Sequence, residues 1–173
     1  MIEFSHVSKT YPNGTHALYD VSLKVQKGEF VFIVGSSGAG KSTLLKLITC
    51  EEKADGGRLR VNGRDLLHIK RRAVPYLRRT MGMVFQDFRL IPTMTVFENV
   101  AFAMHIVGAS NREIRKRVPY MLGLVDLQDK QKCHPAELSG GEQQRVGLAR
   151  ALVNNPDLIL ADRKSTRLNS SHD

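Results

Sequence analysis

Nowhere does the sequence approach the roughly 20 consecutive apolar residues that a membrane-spanning helix needs. The opening Met1-Ile2-Glu3-Phe4 meets a charge too early for the apolar run of a signal peptide. A cytosolic protein is therefore expected. Cysteine is scarce. Cys50 and Cys133 stand far apart, in neither a Cys-x-x-Cys pair nor a His/Cys cluster, so zinc and redox roles have no support. Cys50 ends an apolar stretch and reads as a small core residue. Repeats and low-complexity blocks are also missing. Acidic residues are outnumbered, 17 against 26 lysines and arginines, for a formal charge of +9. The excess persists when Arg163–Asp173 is set aside. A basic balance fits an acidic partner, nucleic acid or an anionic membrane surface, without choosing between them.

What is present suits one soluble globular domain: 173 residues, 42% apolar and 25% charged, enough to bury a proper core. Ile2, Phe4 and Val7, then Leu18, Val21, Leu23 and Val25, suggest two strands around the turn Pro12-Asn13-Gly14. Phe30 to Val34 is short, apolar and rich in β-branched and aromatic residues, and predicts a buried strand that stops at Gly35. A helix is expected from about Lys41, with Leu44, Leu45, Leu47 and Ile48 on its apolar face. Arg58 to Val61 predicts a strand closed by the turn pair Asn62-Gly63, and Met81 to Phe85 another. Thr95 to Val107 reads as helix. Ser110-Asn111-Arg112-Glu113 has capping-box spacing and opens a further helix, which Pro119 is expected to kink or interrupt. Ser139 to Val153 predicts a helix, and Leu158 to Ala161 a buried strand. Strands alternating with helices imply an α/β fold with a largely parallel sheet. The basic stretches Lys70-Arg71-Arg72, Arg78-Arg79 and Arg112 to Arg117 read first as solvated helix faces.

Gly35-Ser36-Ser37-Gly38-Ala39-Gly40-Lys41-Ser42 matches the pattern G-x-x-x-x-G-K-[ST] in full. Its glycines let successive N–H groups point at one anion, and the helix behind adds its positive end. Lys41 is placed to reach the β- and γ-phosphates of ATP, and Ser42 to hold Mg²⁺ through its hydroxyl. Gly35, Ser36, Gly38, Gly40 and Thr43 complete the expected nucleotide-binding set in this stretch. Four apolar residues, Leu158 to Ala161, lead into Asp162, and a strand ending in a carboxylate beside such a loop can hold Mg²⁺. Leu138-Ser139-Gly140-Gly141-Glu142-Gln143-Gln144-Arg145 supplies a second anion-binding helix end. Ser139 is a potential N-cap, and Gly140 and Gly141 permit close backbone approach.

This octapeptide resembles the signature sequence of the ATP-binding-cassette (ABC) family. The resemblance implies a P-loop NTPase with a RecA-like parallel core, an N-terminal antiparallel β subdomain and an α-helical subdomain at about 87–135, all within residues 1–162. It implies an ATPase that forms a homodimer on ATP binding, each ATP lying between the loop of one subunit and Ser139, Gly140 and Gly141 of the other. Tyr11 resembles the aromatic residue that stacks on adenine. Gln86 resembles the glutamine that touches Mg²⁺ and the attacking water, so that Ser42, Gln86 and Asp162 form the implied metal set. Tyr11-Pro12-Asn13-Gly14, Pro75 to Arg79, Gly82 to Leu90 and Thr95 to Phe102 narrow the likeness to the cell-division branch of the family. That branch implies a polytopic membrane partner and other cell-division proteins. It also implies a peripheral place on the cytoplasmic face of the plasma membrane, and coupling of ATP to cell division and cell-wall remodelling. Lipoprotein-release and macrolide-export ATPases are similar relatives. Nucleic acid is not expected as a partner, because the segment between Gln86 and Leu138 is too short for a long coiled-coil insertion.

The sequence departs from the family after Asp162. The resemblance calls for a catalytic glutamate at the next position, where this chain has Arg163. The polar, Ser-rich residues 163–173 are expected to be a disordered, non-family tail on a C-terminally incomplete domain. With no general base at 163, a non-hydrolysing, ATP-dependent scaffold is the alternative reading.

Overall fold

The computed structural model describes residues 1–162; the readings made for Arg163 and the tail lie outside the described residues. Two compact units divide the chain, Met1–Pro75 and Tyr76–Asp162.

In the first unit, β1 (Ile2–Thr10) pairs antiparallel with β2 (His16–Val25) and β3 (Gly56–Val61), and β3 with β4 (Arg64–Asp65), giving the order β2-β1-β3-β4. Alternation explains the start of the sheet's buried face: Ile2 and Phe4 of β1 pair with Val61 and Leu59 of β3, all nearly inaccessible, and a register shift after Phe4 restarts the pattern at the buried Val7. The β3–β4 turn is Asn62-Gly63, with φ of 48° and 77°. Those paired left-handed conformations match the right-handed twist of the flanking strands. The helix α1 (Lys41–Ile48) buries Thr43, Leu44, Leu47 and Ile48.

Phe30 to Val34 is not a strand in this structure. It has no ladder partner among the described strands, and Phe30 and Val34 are both 84% exposed. Burial of an apolar strand on both faces comes from the strands and helices that flank it. None of the described strands pairs with this run.

The second unit holds a two-stranded parallel pair, β5 (Met81–Val84) and β6 (Leu158–Ala161), in register Met81↔Leu158 to Val84↔Ala161. Leu160 is buried, but Ile159 is half-exposed, so β6 is covered on one face rather than on both as expected. A cluster of helices forms the main core here: α3 (Val96–Ile106), α4 (Asn111–Leu124) and α5 (Gly140–Leu152) contribute Val96, Val100, Ile114, Val118, Leu122 and Val146. The short helix α2 (Val74–Arg78) spans the point in the sequence where one unit gives way to the other. Each of α3, α4 and α5 opens with a capping box, built by Thr95/Glu98, Ser110/Glu113 and Ser139/Glu142. Pro119 sits inside α4 without interrupting it. The apolar face on either side, Ile114, Val118, Met121 and Leu122, is buried and holds the helix through the one missing N–H donor. The basic run in α4 is not wholly a solvated face either. The Arg117 guanidinium donates to the Val153 carbonyl and the Asn155 side chain, tying α4 to the end of α5. Cys50, expected in the core, is only half-buried and adopts a positive φ of 56° just past the α1 C-cap. No described helix is long and apolar enough to cross a membrane.

Candidate functional site

The glycine-rich loop is built backwards from α1. Gly40 caps the helix in the left-handed region at φ 82°, without any side-chain cap. A β-carbon there would stand 2.4 Å from the Ala17 carbonyl oxygen, so only glycine fits both the conformation and the packing against β2. Gly38 adopts the same φ, and the Ala39 N–H closes a turn on the Ser36 carbonyl at 3.2 Å. The first N–H groups of α1 are left to an anion rather than to a capping hydroxyl or carboxylate. Lys41 crosses back over the loop, its ammonium donating to the carbonyls of Gly35 at 2.6 Å and Ser36 at 2.7 Å. Residues 35 to 39 are exposed, as is Ser42 in the first turn of α1. Glycines fixed by φ and by close approach, an uncapped helix end and a lysine over the loop together suit a polyphosphate.

Tyr11 lies against the helix behind this loop. Its hydroxyl lies 3.2 Å from that of Thr43, which is buried in α1, so the ring is anchored to the helix behind the loop. The Lys9 ammonium sits 5.5 Å from the ring centroid and is itself paired with Glu52 at 3.4 Å and Asp55 at 3.6 Å.

In the second unit, the parallel register decides what comes together. Val84 pairs with Ala161, so Asp162 comes one residue and Gln86 two residues past the carboxyl ends of neighbouring strands. The Asp162 N–H donates to the Val84 carbonyl at 3.0 Å, which continues the ladder one step past β6. Gln86 is exposed and Asp162 half-buried. Carboxyl ends of parallel strands are where α/β sheets bind ligands.

The segment after Gln86 is held from two sides. Phe88 and Arg89 both take positive φ, 54° and 44°, conformations that cost non-glycine residues free energy. Their carbonyls accept from Arg150 of α5, at 2.6 Å and 2.7 Å, and burial pushes that guanidinium's pKa down. Farther along, the fully buried Asn99 accepts from the Ile91 N–H at 2.8 Å and donates to the carbonyls of Ile91, Met94 and Thr95. Helix α5 also backs the strand leading to Gln86. A β-carbon on Gly82 would meet the Ala151 carbonyl oxygen at 2.4 Å.

Ser139, Gly140 and Gly141 are exposed at the start of α5. The Glu142 carboxylate accepts from the Ser139 N–H at 2.8 Å and from its hydroxyl at 2.9 Å. Its second oxygen accepts from the Lys130 ammonium. Lys130 first, then the Ser139 backbone and hydroxyl, hold the Glu142 pKa down at about 2.

The sequence points to the loop, Tyr11, Gln86, Asp162 and the start of α5 as site residues. Sequence reasoning missed Asn99, Lys130 and Arg150, which act through backbone carbonyls or another side chain and form no motif. The Ser139-x-x-Glu142 spacing, a capping box in plain view, was the available pointer to Glu142.

Comparison with known proteins agrees with this geometry. The family model described as "ABC transporter" matches residues 18–165. The cell division ATP-binding protein FtsE of Bacillus subtilis is 51% identical over 168 residues, covering 97% of this chain and 74% of that protein. FtsE of Escherichia coli K12 is 50% identical over 171 residues, covering 99% of this chain and 77% of that protein. Among solved structures, a dimeric ATP-binding cassette in a post-hydrolysis state bound to ADP and Pi superposes with a TM-score of 0.85. It is 39% identical, covering 98% of this chain and 77% of that one.

Proposed function

The chain belongs to the ABC transporter family, and on that premise we propose that it is the ATP-binding, ATP-hydrolysing subunit of a membrane-associated complex of the cell-division type. The observation that carries this reading is the pairing, in one chain, of a complete phosphate-binding loop with a second, glycine-flanked helix end at Ser139. The similarity to FtsE from two distant bacteria over nearly the whole chain supports the cell-division assignment.

In this reading Gly35, Ser36, Gly38, Gly40, Lys41, Ser42 and Thr43 bind the phosphates, and Tyr11 stacks on adenine with Lys9 on one face of its ring. Mg²⁺ is held by Ser42, Gln86 and Asp162. One carboxylate with hydroxyl and amide oxygens suits Mg²⁺, which keeps several waters and takes phosphate oxygens rather than a cage of protein ligands. Ser139, Gly140 and Gly141 meet the γ-phosphate of the ATP held by a second copy, so ATP makes the homodimer. The segment from Asp87 to Lys132, the helical part of a single nucleotide-binding domain, docks on a polytopic membrane protein of the FtsX type. The subunit then works peripherally, on the cytoplasmic face of the membrane.

Light scattering with ATP and Mg²⁺ tests the composite site. Ser139→Arg should keep nucleotide binding by the monomer and abolish ATP-dependent dimerisation; a normal dimer would count against it. One observation favours a second reading. Arg163 stands where the family carries its general base, so the chain as it is could use ATP to assemble a scaffold with little turnover. Phosphate release measured beside dimerisation separates the two.

A further inference from the structure

An anion-binding helix end is a poor place for a carboxylate, yet α5 carries one at its third position. Glu142 caps Ser139 through both its N–H and its hydroxyl, which fixes the hydroxyl that a γ-phosphate would have to meet. The same negative charge repels that phosphate. It lies within the first turn, where the helix dipole otherwise attracts anions. The Lys130 ammonium, from the turn at 128–130 preceding α5, meets the other carboxylate oxygen. That turn is fixed in its own right. The carbonyls of Gln131 and Cys133 accept the Phe97 and Val96 N–H groups at 3.0 Å and 2.8 Å, so the base of Lys130 is fastened to the start of α3.

We propose that Lys130 is a positioning residue for the second nucleotide-binding end. It neutralises Glu142, so that this carboxylate can cap Ser139 without repelling the γ-phosphate presented by another copy of the chain. The proposal rests on the composite-site reading above. It assigns to Lys130 no contact with nucleotide; the residue acts through Glu142. A purely structural ion pair would be weakened by removing either partner. Here the two removals have opposite consequences. Losing Lys130 leaves an uncompensated negative charge beside the phosphate. Replacing Glu142 by glutamine removes the repulsion, keeps an oxygen for the Ser139 N–H, and leaves Lys130 to attract the anion.

The test measures the ATP concentration that half-saturates dimerisation of the full chain, by light scattering with Mg²⁺, alongside thermal unfolding of each variant. Lys130→Ala should raise that midpoint about tenfold, as an unpaired unit charge near an anion at a partly exposed site would. Lys130→Arg should stay close to the parent. Glu142→Gln should lower the midpoint, and Lys130→Ala/Glu142→Gln should return from the Lys130→Ala value towards the parent. Binding of a fluorescent ATP analogue by the monomer should not change in Lys130→Ala, because the loop at 35–42 is untouched. An unchanged midpoint in Lys130→Ala would overturn the proposal, as would a midpoint raised by Glu142→Gln or a double variant no better than Lys130→Ala. Ser139→Arg serves as the control for the underlying reading. If it dimerises normally while Lys130→Ala does not, the composite site is wrong and Lys130 acts elsewhere. A parent chain that forms no ATP-dependent dimer removes both.

Discussion

The guanidinium of Arg150 donates to the carbonyl of Phe88 at 2.6 Å, fastening the helix that begins at Ser139 to the segment that follows Gln86. The same side chain takes the Arg89 carbonyl at 2.7 Å. Two left-handed residues in succession are thereby held with their carbonyls facing one cation. Arg150→Ala should cost about 2–3 kcal/mol, the range for losing charge-assisted hydrogen bonds and leaving carbonyls unpaired. Arg150→Lys should recover only part of this, since an ammonium lacks the planar fork. Urea unfolding of the two variants measures both effects. Equal stability in parent and Arg150→Ala would mean that the 88–89 turn is held by its own backbone.

Asn99 secures the next stretch. It is fully buried, and every polar atom of its side chain is used on the backbone of Ile91, Met94 and Thr95. Asn99→Ala should destabilise the chain by about 2–4 kcal/mol, because it removes four side-chain hydrogen bonds to the backbone from a fully buried position. If residues 88–96 form part of the membrane-partner surface, the same substitution should weaken co-purification with membranes more than an exposed change such as Arg112→Ala. Full retention would place the docking surface elsewhere.

Glu142 makes a pH-dependent contribution whose sign is fixed. A carboxylate held below its ordinary pKa adds stability that is complete above that value and is lost as pH falls through the lowered one. For Glu142 the window runs from 4.5 down to about 2, with Lys130 as the main cause. Glu98 and Glu113, lowered by Thr95 and Ser110, act in the same direction. Denaturant unfolding from pH 7 down to about 2 should show a steeper acid loss in the parent than in Glu142→Gln. Parallel curves would mean that the Lys130–Glu142 pair contributes nothing to folding.

Arg150, Asn99 and Lys130 mark where the sequence stopped being legible. Glycine-loop, signature and turn chemistry are local, so Gly35–Ser42, Asn62-Gly63 and Ser110/Glu113 could be read directly. The role of Gln86 came through resemblance and that of Asp162 from an apolar run ending in a carboxylate, and the β5–β6 register places both just past the carboxyl ends of neighbouring strands. Asn99 and Arg150 bond to backbone groups whose positions depend on tertiary structure, and Lys130 reaches its partner across a turn. The strand expected at Phe30 to Val34 shows the converse. Its apolar run is a local property, but its burial depends on partners that the described strands do not provide.

Position 163 lies outside the described residues, and the expectation for it is chemical. A guanidinium stays protonated at any usable pH and cannot accept a proton from water. A positioned base contributes about 10²–10⁴-fold to rate. Arg163→Glu should therefore raise steady-state phosphate release by about 10²-fold or more, without tightening ATP binding. Equal turnover would show that position 163 does not supply the base.

Everything proposed for this chain depends on ATP being held by the loop that Lys41 closes over. Titration of the chain and of Lys41→Ala with a fluorescent ATP analogue, with circular dichroism to establish that both are folded, measures this directly. Saturable binding by the parent is predicted, with an affinity loss of at least about tenfold in Lys41→Ala, as expected for removing charge-assisted contacts to phosphate. Equal affinities in two folded proteins would contradict the assignment.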